Sequence, residues 1–208
     1  MAVSVLEMLI AESEPRQIQK INKMNEKIYL GKVSLGIKMK RALWNVARCI
    51  LFRPFGTKLF RLWRLSVLKA FGADVNWGCD VYASSKVWAP WNLTMEQGSC
   101  LGPETVCYNQ AMVTLRKNAC LSQYAMICTA GHELDAEGQQ PMNNAETGLV
   151  VAPVTLHEDA WVGMRAFVGM GVEVGRKAVV GACACVFKDV ERKTVVGGNP
   201  AKVLRTLD

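Results

Sequence analysis

The sequence predicts a mainly β chain, a parallel β-helix of stacked three-edged coils preceded by a helical segment. Three observations carry this. Leu156, Val162, Val168, Val174, Val180 and Val186 lie six residues apart without a slip. Gly163, Gly169, Gly175 and Gly181 each follow one of them, and Ala160, Ala166, Ala178 and Ala184 recur four places on. Residues 1–72 do not share this period.

Period six is neither the 3.6 of a helix nor the plain alternation of a flat sheet. A short strand that turns a corner every six residues sends one aliphatic side chain inward per edge. Three edges close a coil of eighteen residues, and stacked coils pair their strands in parallel around interior aliphatic columns. Small residues suit the corners, and glycine would relieve the backbone at the turn.

The period extends upstream. Val75, Val81, Val87 and Leu93 form one run, Met95, Leu101 and Cys107 a second, and Leu115, Leu121 and Ile127 a third. From Cys107 to Leu115 the step is eight, so two residues bulge out around Tyr108–Gln110. Between Ile127 and Leu156 the period is lost, and Gly131, Gly138, Pro141, Asn143, Asn144 and Gly148 give that stretch a loop composition. Loops of that length in a compact domain usually serve function. The expected organisation is therefore an N-terminal segment, 1–72, and a β-helix domain, 73–208, with an excursion at 131–153 and a C-terminal tail.

Within the N-terminal segment, residues 16–29 and 35–51 read as helical. From Gly56 onward Phe60, Trp63, Val67 and Phe71 follow helical spacing on one face, with Lys58, Arg61 and Arg64 expected away from it. Pro54 separates this helix from the one before. Residues 1–72 hold 14 Lys and Arg against 4 Glu, while residues 73–208 hold 11 against 14 acidic residues, so the whole-chain excess of +7 belongs to the N-terminal third. The segment reads either as a cap on the open end of the first coil, which repeat proteins need, or as a peripheral membrane helix.

No apolar stretch is long enough to span a bilayer, and no secretory pattern opens the chain. The eight cysteines contain no CxxC pair, and with two histidines they cannot complete a usual zinc set, so no metal is expected. Scattered thiols fit small buried apolar residues of a cytoplasmic enzyme, with association at the inner membrane face as the variant of that location.

The histidines differ in setting. His157 lies inside the regular repeat beside Leu156, at a corner, and reads as an exposed polar residue. His132 follows Cys128-Thr129-Ala130-Gly131, where the coil gives way to the excursion. Functional groups concentrate where a rigid scaffold meets a loop. A neutral imidazole there could take the proton of an attacking hydroxyl and return it to a leaving thiolate. Backbone N–H groups or Asn109 would serve the oxyanion.

These residues resemble the hexapeptide-repeat acyltransferases. The resemblance rests on the repeats, on Gly131-His132-Glu133 and Trp161-Val162-Gly163, on Val186–Val190, and on Val195-Val196-Gly197-Gly198-Asn199-Pro200-Ala201-Lys202-Val203. It covers roughly residues 43–208. Leu51-Phe52-Arg53-Pro54 and Phe71-Gly72-Ala73 resemble the branch of colanic acid biosynthesis acetyltransferases. The resemblance implies a left-handed helix, against the usual right-handed crossover. It also implies a homotrimer, sites between neighbouring prisms, and acetyl-CoA as co-substrate. By that likeness His132 is the general base, with Asn109 and Glu133 on the acceptor side. Trp161 lies by the thioester, Gly163, Gly181 and Ala182 along the pantetheine arm, and Lys188, Lys202 and Arg205 toward the nucleotide phosphates. The chain departs from the family pattern at several points. Phe187 stands where Thr is common, Met164 replaces a small residue, and Glu133 stands where this branch often has Asp. Gln110–Thr114 lacks an Asp found in galactoside acetyltransferases.

The reading that follows is acetyl-CoA-dependent O-acetylation of a sugar hydroxyl in exopolysaccharide or glycan biosynthesis. N-acetylation of an amino sugar and a non-catalytic β-helix scaffold are the alternatives. A γ-type carbonic anhydrase would need three histidines on zinc, and nucleic-acid binding would need a module the chain lacks.

Overall fold

The computed structural model describes residues 28–30, 35–132 and 149–208. Its body is a three-faced solenoid of about five coils, as the period requires. On the first face Val75, Met95, Leu115, Leu156 and Val174 stack in parallel register. On the second the column is Val81, Leu101, Leu121, Val162, Val180 and Val196. The third stacks Val87, Cys107, Ile127, Val168 and Val186. All of these side chains are buried and form one continuous core. At about 1.5–3 kcal/mol per fully buried aliphatic side chain, these columns are the main stabilising term. The last coil of the second face is closed by Lys202–Thr206, which returns antiparallel on Thr194–Gly197.

The repeat glycines have a different task from the one expected. None of Gly163, Gly169, Gly175 and Gly181 has a positive φ; the left-handed corner residues are non-glycines such as Arg165, Lys177 and Cys183. The glycines are needed for clearance. A Cβ on Gly163 would lie 2.8 Å from both Ala182 N and Val180 O, and one on Gly175 would lie 2.6 Å from Arg192 N. Coils stack too closely there for any side chain.

The edge between the third and first faces is irregular in every early coil. Val87 to Met95 is a step of eight, as is Cys107 to Leu115, and the excursion between Ile127 and Leu156 leaves from the same edge. Met95 rather than Leu93 continues the first-face column, so the break expected between Leu93 and Met95 falls earlier, at the turn Pro90–Asn92. The later step, Val168 to Val174, is a regular six.

Among the described residues two α-helices precede the solenoid: α1, Leu35–Ala47, running into a π turn at Arg48–Phe52, and α2, Arg61–Ala70. Most of the helix expected at 16–29 lies outside the described residues. Its last two residues, Ile28 and Tyr29, belong instead to a strand, Ile28–Leu30, paired antiparallel with Leu149–Val151.

The helices close the first coil by supplying hydrogen-bond donors. Ser99, Leu101 and Cys107 carbonyls accept from the coil below. The equivalent carbonyls of the first coil, Cys79, Val81 and Val87, have no coil below them. Arg61 Nη1 donates to Cys79 O at 2.7 Å and to Trp77 O at 2.6 Å. Arg64 Nε donates to Val81 O at 2.7 Å, and Trp44 Nε1 to Val87 O at 2.8 Å. Buried backbone acceptors must be satisfied, and this explains which face of α2 docks. Arg64, Leu65, Val67 and Leu68 are buried, whereas Phe60 and Trp63 are exposed. The expectation that Arg61 and Arg64 point away from the packed face is therefore corrected. Asp80 lies 3.6 Å from Arg64 Nη2, and desolvation lowers the Arg64 pKa against that carboxylate's pull.

Candidate active site

The irregular edge is held by buried polar side chains stacked one above another. Asn109 is fully buried. Its Oδ1 accepts from Ala89 N at 2.9 Å, and its Nδ2 donates to Ala89 O at 2.7 Å and Asn92 O at 2.9 Å. Asn92 Nδ2 donates to Asn109 O and Gln110 O at 3.1 and 2.8 Å. One coil on, buried Thr129 Oγ1 accepts from Ala111 N at 2.9 Å and donates to Tyr108 O at 3.2 Å. These bonds satisfy backbone groups that the two-residue bulges take out of the ladder. Asn109 is thus a clamp on the backbone, not an acceptor-side or oxyanion residue, because its amide is spent inside the chain.

Directly beyond Thr129, Ala130–Gly131 leaves the prism and pairs antiparallel with Leu149–Val151. Met170 packs beneath it, 3.4 Å from where a Gly131 Cβ would stand. His132 follows, exposed, at the root of the excursion. Glu133 lies outside the described residues. His157, the other histidine, is half-exposed on the first face, with Nε2 3.1 Å from Glu173 Oε2.

The residues expected to hold the acyl donor lie elsewhere on the same prism. Trp161 is outward on the second face, 51% exposed, its Nε1 donating to Ser122 Oγ at 2.7 Å. Lys202 and Arg205 are exposed on the strand that closes that face. Gly181 and exposed Ala182 form the corner between the second and third faces, whereas Gly163 is buried beneath them and has no surface to offer a ligand. Its glycine is explained by coil stacking, which corrects the expectation that a pantetheine arm runs along it. Lys188 is exposed beyond the third face, next to Phe187, which stacks on Phe167 at 5.6 Å. One chain therefore brings Trp161, Lys202 and Arg205 to one face and sets His132 on the edge between the other two.

An aromatic column escaped the sequence reading. The position after each of the first three inward residues of the third face holds Trp88, Tyr108 and Cys128. Trp88 and Tyr108 meet edge to face at 5.6 Å, Arg41 stacks on Trp88 at 3.6 Å, and Gln110 Nε2 donates to Tyr108 Oη at 2.7 Å. Reading the column one residue past each inward aliphatic would have found it. Among the described residues no cluster of His, Cys, Asp and Glu is placed to hold a metal, and no helix is long and apolar enough to cross a membrane.

No family model matches the chain. Over 170 residues it is 31% identical to the "Putative colanic acid biosynthesis acetyltransferase WcaF" of Escherichia coli K12, an alignment covering 82% of this chain and 88% of the relative. The chain belongs to the hexapeptide-repeat acetyltransferases. It is an acyltransferase by that membership. A hexapeptide-repeat acetyltransferase from Vibrio cholerae superposes on this acetyltransferase with a TM-score of 0.72, covering 86% of this chain and 96% of that one at 23% identity. The same Vibrio protein has been solved with acetyl coenzyme A bound, TM-score 0.70, covering 85% and 91% at 22% identity. A galactoside acetyltransferase in complex with coenzyme A superposes with a TM-score of 0.67, covering 85% of both chains at 19% identity.

Proposed function

We propose that this acetyltransferase moves the acetyl group of acetyl-CoA to a sugar hydroxyl during exopolysaccharide or glycan biosynthesis, as a cytoplasmic homotrimer with His132 as general base. What supports this reading most is the separation just described. His132 stands exposed where the strand leaves the prism, on a different edge from Trp161, Lys202 and Arg205. A histidine edge and a donor-binding face that do not meet within one prism can meet between two, and cyclic symmetry then makes every such contact identical.

The chemistry needs little more. The hydroxyl oxygen attacks the thioester carbonyl carbon while His132 takes its proton. The tetrahedral intermediate expels the thiolate of coenzyme A, which receives the proton from the imidazolium. Backbone N–H groups serve the oxyanion, since Asn109 is occupied. Trp161 packs beside the thioester, and Lys202, Arg205 and Lys188 attract the nucleotide phosphates. Gly181 and Ala182 leave room for the pantetheine chain. Glu133 is assigned to the acceptor side on the family resemblance alone.

Thiol release from acetyl-CoA, measured over a panel of sugars, amino sugars and exopolysaccharide fragments, tests this. The expected result is turnover with a hydroxyl acceptor and a loss of ~100-fold or more in His132→Ala. Turnover only with amino sugars would make the enzyme an N-acetyltransferase. Acetyl-CoA binding with an unimpaired His132→Ala would remove the base. No binding and no turnover would leave a scaffold.

A further inference from the structure

The cap has a second side that the proposed reaction does not use. α1 turns Trp44 and Ala47 toward the first coil. On another side of it, about a third of a turn away, Leu35, Met39, Leu43, Val46 and, in the π turn, Ile50 recur at helical spacing, and all are exposed, Leu35 at 73%. The apolar surface continues toward α2. Trp63 Nε1 donates to Leu51 O at 2.7 Å, tying two exposed residues together, and Phe55 packs on Trp63 and Phe60 at 5.7 and 5.0 Å. Leu59, beside them in sequence, is 85% exposed. Of the nineteen large apolar side chains that stand exposed among the described residues, eleven lie between Leu35 and Trp63. The exposure is thus concentrated on the cap rather than scattered, and contiguous apolar surface of this kind marks a docking site.

Charge identifies the occupant. Residues 35–73 contain nine Lys and Arg and no Asp or Glu. Arg61 and Arg64 are turned inward on carbonyls, and Lys40 and Arg41 stack on Trp91 and Trp88. Lys38, Arg53 and Lys58 remain exposed in the same segments as the ridge. A second copy of this surface would set like charge against like. An apolar stripe on a short helix, with a basic surround and an exposed Trp, suits the interface of an anionic bilayer.

We propose that the outer side of the cap is a membrane-docking surface for anionic lipid, while its inner side seals the first coil. The two readings of the N-terminal segment are then both true, on different sides of the same helices. Leu30 pairs with Leu149 in the small sheet at the root of the excursion. The five residue steps from Leu30 to Leu35 span at most about 18 Å. The docking surface therefore begins within that reach of the small sheet from which His132 follows. Resting on the proposed reaction, this adds that the acceptor is a lipid-linked glycan presented at the bilayer.

Co-sedimentation of the full chain with vesicles tests the docking. Phosphatidylcholine vesicles are compared with vesicles containing about 30% phosphatidylglycerol, at low and raised salt. The wild type is expected to pellet with the anionic vesicles, less so at raised salt. The double variant Leu43→Glu/Val46→Glu and, separately, Leu59→Ser should lower that partition, the double variant by about tenfold or more. Because these side chains are exposed, thiol release on a soluble acceptor should be unchanged, so loss of docking and loss of the proposed reaction are read independently. A wild type that ignores anionic vesicles, or a double variant that binds them as well as wild type, overturns the proposal. So does a variant whose only change is a smaller assembly in light scattering, because the ridge would then join copies of the chain.

Discussion

Arg64 Nε stands 2.7 Å from the carbonyl oxygen of Val81, inside the first coil, and the residue is only 2% exposed. The same side chain donates from Nη1 to Phe55 O and Thr57 O at 2.7 and 2.8 Å. It thereby joins the solenoid, the loop before α2 and α2 itself. Arg64→Met should cost about 2–4 kcal/mol, because it removes charge-assisted bonds and leaves Val81 O buried without a donor. Arg64→Lys should recover only part, since an ammonium lacks the planar fork that serves several carbonyls at once. Urea denaturation measures both, and an unchanged midpoint in Arg64→Met would remove the donor account of the cap.

Asn109 should behave as a structural residue. Asn109→Ala leaves Ala89 N–H and Asn92 O without their partner, while Ala89 O keeps the bond from Asn92 N–H, a loss of about 2–3 kcal/mol. The folded fraction should keep the wild-type KM for acceptor. A raised KM at unchanged stability would restore the acceptor-side role.

Two glycine substitutions should have opposite signs. Gly163→Ala forces a Cβ against backbone 2.8 Å away and should destabilise by about 1–3 kcal/mol. Gly36→Ala, in exposed α1 with nothing within 4 Å, should stabilise by up to about 1 kcal/mol. Thermal melting of the pair checks both.

Thiol reactivity should sort by burial. Cys107 is an inward column residue, and burial pushes its thiol up to about 12. At pH 8 it should stay unalkylated by iodoacetamide until the chain unfolds, while exposed Cys49 and Cys183 react in the native state. Peptide mapping after timed alkylation reads the order.

The solenoid was legible because one inward residue per edge repeats without regard to what surrounds it. Val162 and Val180 announce themselves by spacing alone. Arg64 did not, because hydropathy marks which residues prefer burial, whereas α2 docks by what the orphan carbonyls of Cys79 and Val81 need. The repeat glycines were visible as a pattern and misassigned in cause, since clearance between coils and freedom of φ leave the same letter. Asn109 was noticed for its bulge, but an amide that clamps backbone and one that binds a ligand look alike in sequence. His132 was legible by position, at the break between the third run and the loop. That Trp161 and His132 occupy different parts of the prism follows only once the faces are closed.

In the proposed trimer, His132 of one prism serves an acetyl donor held by the second face of its neighbour. Co-expression of His132→Ala with Trp161→Ala/Lys202→Ala, each weakly active alone, tests it most directly. In randomly mixed trimers about a quarter of the interfaces pair an intact His132 with an intact second face. The account predicts thiol release recovering toward a quarter of wild type. Mixed assemblies no more active than their parents would contradict it and return the whole site to a single chain.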